Sequence, residues 1–126
     1  MGLRQLTVLV VAASLALGAC GAGASGTGSS TSAPKSFTVV GTEMAFTAPD
    51  RVPAGHYLVE FRNDGTVYHE LALKDPSGAF VARRSIAAGQ QVVLDVVLKP
   101  GTWELGCFEP GHYEGGMHRT MVVEAT

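Results

Sequence analysis

From residue 37 onward, hydrophobic and polar residues alternate in short runs that are separated by turn-forming residues. Successive side chains of a β-strand point to opposite faces of the sheet, so this period of two predicts strands with one buried face. No stretch has the spacing of apolar residues that an amphipathic helix requires. The pattern is clearest in residues 91–99, where four apolar residues fall on one face: Val92, Leu94, Val96 and Leu98.

Clusters of glycine, proline, asparagine and aspartate divide this part of the chain into about eight predicted strands. Asn63-Asp64-Gly65 and Pro100-Gly101 are two of these turn signals. Strands in this number and at this spacing indicate an all-β domain built as a Greek-key β-sandwich. The predicted strands are residues 37–40, 44–47, 56–62, 67–73, 80–86, 91–99, 102–107 and 120–124.

The N-terminal residues have a different composition. Arg4 precedes an apolar run at residues 6–17, which is shorter than the roughly 20 residues that span a bilayer and is typical of a secretory signal peptide. The run ends in Leu17-Gly18-Ala19-Cys20, which resembles the lipobox of bacterial lipoproteins. The resemblance implies a signal peptide at residues 1–19 and a lipid on Cys20. The alternative is an ordinary secretory signal followed by an unmodified cysteine.

Residues 20–36 are rich in glycine and serine and contain no large apolar side chain. Such a segment cannot bury enough surface to order itself, so we predict a flexible linker. We therefore expect an exported protein whose domain, residues 37–126, is anchored by lipid at the outer face of the cell membrane. The formal net charge of −2 is too small to favour nucleic acid as a partner.

The two cysteines, Cys20 and Cys107, could pair as a disulfide in an exported protein. If Cys20 carries a lipid, however, Cys107 is a single thiol in an oxidising compartment. An accessible thiol is readily oxidised there, so Cys107 is expected to be buried or to have a function. The residues that follow it indicate metal ligation.

Cys107, His112 and Met117 form a Cys-x4-His-x4-Met pattern on a glycine-rich loop. Two imidazoles and a thiolate, with a long axial Met, make a blue-copper site, and His69 is the candidate for the second imidazole. Zinc fits less well because structural zinc sites do not use Met, and haem attachment lacks its Cys-x-x-Cys-His motif. A Cys–His nucleophile would have no obvious third group and would leave the spacing of Met117 unexplained.

Strand parity supports this ligand set. Cys107 and His69 each share a predicted strand face with apolar residues, so both are expected to point inward near a strand end. These apolar residues are Trp103 and Leu105 for Cys107, and Val67, Leu71 and Leu73 for His69.

Residues 37–126 resemble the cupredoxins, the plastocyanin-like blue-copper proteins. The likeness is carried by residues 107–117, which are similar to the ligand loop of the family, and by residues 63–70, which are similar to the segment of its first ligand. It implies one type 1 copper ion, bound by His69 and His112 through imidazole nitrogen, by Cys107 as thiolate and by Met117 as the weak axial ligand.

One position departs from the family. Many members have Asn directly after the first His, where it supports the ligand loop, whereas this chain has Glu70. Because the groups around the ligands tune a metal site, the departure bears on the reduction potential.

The resemblance implies a one-electron carrier between a donor and an acceptor redox protein, rather than an enzyme. His112 is expected to be the contact to these partners, and the protein is expected to be a monomer. Two other functions remain open: a module for copper delivery or sequestration, and a metal-free structural β-sandwich lipoprotein. His56 and His118 are the competing ligands. His56 begins a predicted strand and is expected to be solvated, and His118 would serve only in place of Met117.

Overall fold

The computed structural model describes residues 32–126, so Cys20, the predicted signal peptide and most of the predicted linker lie outside the described residues. Residues 32–126 contain no helix that is long and apolar enough to span a membrane. They form nine strands, one more than the sequence predicts: β1 (Lys35–Thr42), β2 (Ala45–Thr47), β3 (Arg51–Pro53), β4 (Gly55–Asn63), β5 (His69–Lys74), β6 (Phe80–Ile86), β7 (Gln91–Leu98), β8 (Gly101–Gly106) and β9 (His118–Glu124).

The strands form two sheets that pack against each other. The first sheet has the order β2-β1-β4-β7, and the second has the order β3-β9-β8-β5-β6. Most neighbours are antiparallel, but β1 runs parallel to β4 and β3 runs parallel to β9, so both sheets are mixed. The predicted all-β sandwich is confirmed.

The core lies between the sheets and is made by the alternating residues that the sequence places on the inward faces. Each buried aliphatic or aromatic side chain stabilises the fold by about 1.5–3 kcal/mol. Trp103 is buried and satisfies its polar atom, since its indole N–H donates to the Lys99 carbonyl at 2.8 Å. The inward residues include Tyr57, Val59 and Phe61 of β4, Leu94, Val96 and Leu98 of β7, and Trp103 and Leu105 of β8.

The short strand β3 was not predicted from the sequence. The two prolines, Pro49 and Pro53, indicate a break in the chain, but Val52 between them is buried in the core. The strand lies at the edge of its sheet and pairs only with β9. A proline is tolerated there because an edge strand does not need every backbone donor.

The start of β5 also differs from the prediction. The strand begins at His69, and the two preceding residues, Val67 and Tyr68, are 46% and 60% exposed. The prediction that Val67 is buried on the face of His69 is therefore wrong, whereas Leu71 and Leu73 are buried as expected. The cause is a loop, residues 64–68, that stays outside the sheet.

The loops that carry the predicted ligands lie at one end of the sandwich. In the second sheet, His69 pairs with Ile86, and Gly106 at the end of β8 pairs with His118 at the start of β9. The Asn63 side chain, at the end of β4 in the first sheet, donates to the Ile86 carbonyl at 3.0 Å and so connects the sheets at this end. Residues 64–68 and 107–117 therefore meet above the same edge of the core.

Candidate metal centre

Three side chains from two separate parts of the chain converge at this end: His69, Cys107 and His112. Their donor atoms all lie within 4.8 Å of one another. The two imidazole Nδ1 atoms are 3.2 Å apart, and Cys107 Sγ is 3.4 Å from Nδ1 of His112. Nitrogen and sulfur atoms that bind one ion at about 2.0–2.3 Å must themselves be roughly 3–4 Å apart, so the donor set fits a single transition-metal ion.

The three residues differ in exposure. His69 is the first residue of β5 and Cys107 directly follows β8, and both are fully buried. His112 lies in the loop between β8 and β9 and is partly exposed. The inward orientation that strand parity predicts for His69 and Cys107 is what the structure shows, and His112 is the member of the cluster that reaches the surface.

Met117 closes the same loop. Its side chain is fully buried, its carbonyl accepts a hydrogen bond from the Cys107 N–H at 3.0 Å, and its own N–H donates to the His112 carbonyl at 3.0 Å. A methyl group on Gly41 would lie 3.3 Å from the terminal carbon of Met117, so a glycine at this position leaves room for the thioether. The fourth predicted ligand is thus fixed between the backbones of two others.

The turns of this loop depend on glycine at two positions. Gly111 and Gly116 have φ angles of 81° and 103°, in the region that residues with a Cβ atom rarely adopt. The Gly116 N–H donates to the Tyr113 carbonyl at 3.0 Å. These turns double the chain back on itself, which brings Cys107, His112 and Met117 together from a span of eleven residues.

Burial favours the neutral forms of Cys107 and His69. It raises the pKa of the Cys107 thiol, an effect that the N–H of Glu70 partly offsets by donating to Sγ at 3.2 Å. Burial also lowers the pKa of His69, and so does the nearby His112. A neutral imidazole keeps a lone pair for a metal, and a thiol with a raised pKa is ionised only when a cation compensates its charge.

The other ring nitrogen of His69, Nε2, is buried and has no hydrogen-bond partner among the described residues. A methyl group on Gly65 would lie only 2.6 Å from this atom. The imidazole therefore fits in its place because residue 65 has no side chain, and its Nδ1 is left facing the cluster.

Asn63 contributes to the site in a way that its place in a turn and in the first-ligand segment does not indicate. It is fully buried, and its side-chain amide donates to the Val67 and Ile86 carbonyls at 2.8 and 3.0 Å. Its carbonyl oxygen accepts the Gly65 N–H at 2.9 Å. Asn63 thereby shapes the loop that leads into His69. The Asn-Asp-Gly motif signals a turn whether or not its Asn is buried, so the sequence alone did not reveal this role.

The competing histidines lie elsewhere. His56 pairs with Asp95 at 2.5 Å on the outer surface, and the exposed His118 stacks on Tyr113 with ring centroids 4.5 Å apart. Neither belongs to the group of side chains in residues 32–126 that could hold a metal ion.

The strand order and this end-on cluster define a cupredoxin-like β-sandwich with a candidate metal centre. Among solved structures, the chain is similar to dithionite-reduced auracyanin from Roseiflexus castenholzii (18% identity, TM-score 0.61), covering 74% of this chain and 99% of that one. It is similar to auracyanin A, a "blue" copper protein from Chloroflexus aurantiacus (22% identity, TM-score 0.57), covering 73% of this chain and 100% of that one. It is also similar to rusticyanin from Thiobacillus ferrooxidans (17% identity, TM-score 0.58), covering 73% of this chain and 79% of that one.

These likenesses confirm the predicted cupredoxin fold. At identities of 17–22% they establish the architecture, and the chemistry has to be argued from the side chains themselves. No sequence profile of a protein family matches the chain, and no curated protein sequence matches it.

Proposed function

We propose that the protein is a blue-copper electron carrier, and not an enzyme, that holds one type 1 copper ion through His69, Cys107, His112 and Met117. The observation that carries the proposal is the convergence of two imidazole Nδ1 atoms and one thiol sulfur at one end of the sandwich: the two nitrogens are 3.2 Å apart, and the sulfur is 3.4 Å from Nδ1 of His112. Two imidazoles and a thiolate with an axial Met are the ligands of such a site. Bound copper would supply a one-electron redox couple.

The surrounding residues suit an electron carrier. His69 and Cys107 are held by strands β5 and β8, which pair directly through Ala72 and Gly106. The Glu70 N–H, which donates to Sγ, stabilises the negative charge of a thiolate. Because His69 and Cys107 are buried and held by paired strands, we expect these two ligands to change position little between two oxidation states and to stay shielded from water.

We propose that the donor and acceptor proteins bind at the loop end of the sandwich, over the partly exposed His112, and that the protein itself is a monomer. Exposed apolar side chains are found next to the cluster: Val67 and Tyr68 directly precede His69, and Met44 is 41% exposed. The sulfur of Met44 lies close to Gly115 in the ligand loop. Exposed apolar groups that are close together mark surfaces that bind other proteins.

The proposal is tested by adding copper to the purified protein. We expect one copper ion per chain, an intense visible absorption, and loss and return of that absorption on dithionite reduction and reoxidation, with one electron per copper. Release of copper on reduction would favour delivery or sequestration instead. Failure to bind copper would leave a structural β-sandwich.

We also propose that the domain is anchored to the outer face of the membrane by a lipid on Cys20, which rests on the apolar run at residues 6–17 and the Leu17-Gly18-Ala19-Cys20 motif. In a bacterial host fed labelled palmitate, the protein is expected to carry the label and to sediment with membranes. Cys20→Ala should lose both properties, whereas Cys107→Ala should keep both. Labelled Cys20→Ala protein would contradict the assignment.

A further inference from the structure

Residue 70 is attached to the ligand loop at two points. Its backbone N–H donates to Cys107 Sγ at 3.2 Å, and its carboxylate accepts the N–H of Phe108 at 3.2 Å. Strand β5 therefore holds both the sulfur of Cys107 and the backbone N–H of the next residue, Phe108. A neutral side chain of suitable length could make the second contact, so the charge of Glu70 requires a separate explanation.

The charge of Glu70 has a partner on the neighbouring strand. Arg83 of β6 donates to the two carboxylate oxygens of Glu70 through Nε and Nη2, at 2.8 and 3.0 Å. The guanidinium also lies over the rings of Phe80 and Phe108, with its carbon 4.5 and 5.6 Å from their centroids. A forked ion pair that also stacks on aromatic rings has a defined geometry, which lysine could not reproduce.

Glu70 is more buried than Arg83, so water screens the negative charge of the pair less than the positive charge. The Glu70 side chain is 11% exposed, whereas that of Arg83 is 45% exposed. A carboxylate so poorly hydrated, one residue from a ligand, acts on a nearby ion with little screening. Two other charged side chains near the ligand loop have contacts elsewhere: Lys74 pairs with Glu104 at 3.1 Å, and Glu109 accepts a hydrogen bond from Ser85.

We propose that Glu70 and Arg83 are a pair of positioning residues for the metal centre, with separable roles. Glu70 holds the Phe108 amide, and through it Cys107, against β5. Arg83 orients that carboxylate and cancels its charge, so that the contact is made without a net negative charge beside the ion. The inference rests on the proposed copper site, but its first half concerns the protein alone and is testable without metal.

The charge role is tested by the reduction potentials of the copper-loaded protein and three variants. A negative charge beside the ion favours the more positive, oxidised state, so Arg83→Gln is expected to lower the potential. Glu70→Gln keeps an oxygen for the Phe108 amide but removes the charge, so it is expected to raise the potential. The double variant should return towards the parent value, because it removes one charge of each sign.

Opposite shifts that cancel cannot come from a general loosening of the fold. Shifts of the same sign, or no shift in either single variant, would overturn the charge role. Arg84→Gln is the matched control: Arg84 lies next to Arg83 on the same strand, is exposed, and donates to the Arg83 carbonyl. The potential of this variant should equal that of the parent.

The positioning role is tested on the metal-free protein by hydrogen exchange at the Phe108 amide. Loss of a hydrogen bond to a charged acceptor in Glu70→Ala should speed exchange about tenfold or more, and Glu70→Gln should restore part of the protection. Unchanged exchange in Glu70→Ala would refute the positioning role. If the protein bound no copper, this exchange result would still stand, so failure of the inference is distinguishable from failure of the proposed function.

Discussion

Replacing Cys107 by Ser is expected to abolish the intense visible absorption of the copper-loaded protein. That absorption requires a thiolate sulfur as the electron donor to the metal, and a serine hydroxyl neither ionises at neutral pH nor offers a soft donor orbital. Copper affinity should fall by at least about 100-fold, since even residues that only orient a ligand commonly account for 10–100-fold. Absorption spectra and a competitive copper titration give both values.

The variant also has a built-in check that the fold is intact. Cys107 is fully buried beside Leu105 and Trp103, and serine has nearly the volume of cysteine, so the circular dichroism of Trp103 should be retained. His118→Ala provides the matched control, because His118 lies close to the ligand loop but outside the cluster. Colour that survived in Cys107→Ser and disappeared in His118→Ala would contradict the ligand assignment.

The inward orientation of Cys107 and His69 could be predicted because each shares a strand face with apolar residues that are buried. The period of two is a local property, and it holds wherever a strand is regular. It failed two residues earlier, at Val67, because the chain there is not yet part of the sheet. The Val67 carbonyl accepts a hydrogen bond from the Asn63 side chain there, a contact that no periodicity encodes.

The surroundings of the ligands were harder to predict for the same reason. The sequence shows that Glu70 stands where many cupredoxins have Asn. It does not show that Arg83, thirteen residues away, binds both carboxylate oxygens of Glu70. That contact depends on the antiparallel pairing of β5 with β6, in which Arg83 lies opposite Ala72. Pairing of strands is a tertiary property, so compensating charges on neighbouring strands become visible only in the structure.

The Asn63 side chain offers the sharpest test of how the fold prepares the site. Asn63→Ala is expected to lower the free energy of unfolding of the metal-free protein by about 3 kcal/mol. The substitution removes the partners of the Val67 and Ile86 carbonyls and of the Gly65 N–H, and a buried polar group without a partner costs roughly 1–3 kcal/mol. Urea denaturation of the parent and the variant measures the difference.

Asp64→Ala is the control for this loop, because Asp64 is the next residue but pairs with Arg62 at the surface. Its effect should stay within about 0.5 kcal/mol. Asn63→Ala should also weaken copper binding, since the loop it shapes carries Gly65 against the ring of His69. If Asn63→Ala were as stable as Asp64→Ala and bound copper equally well, the strand pairing of β5 alone would be sufficient to orient His69. The connection between the two sheets at Asn63 would then have no part in building the site.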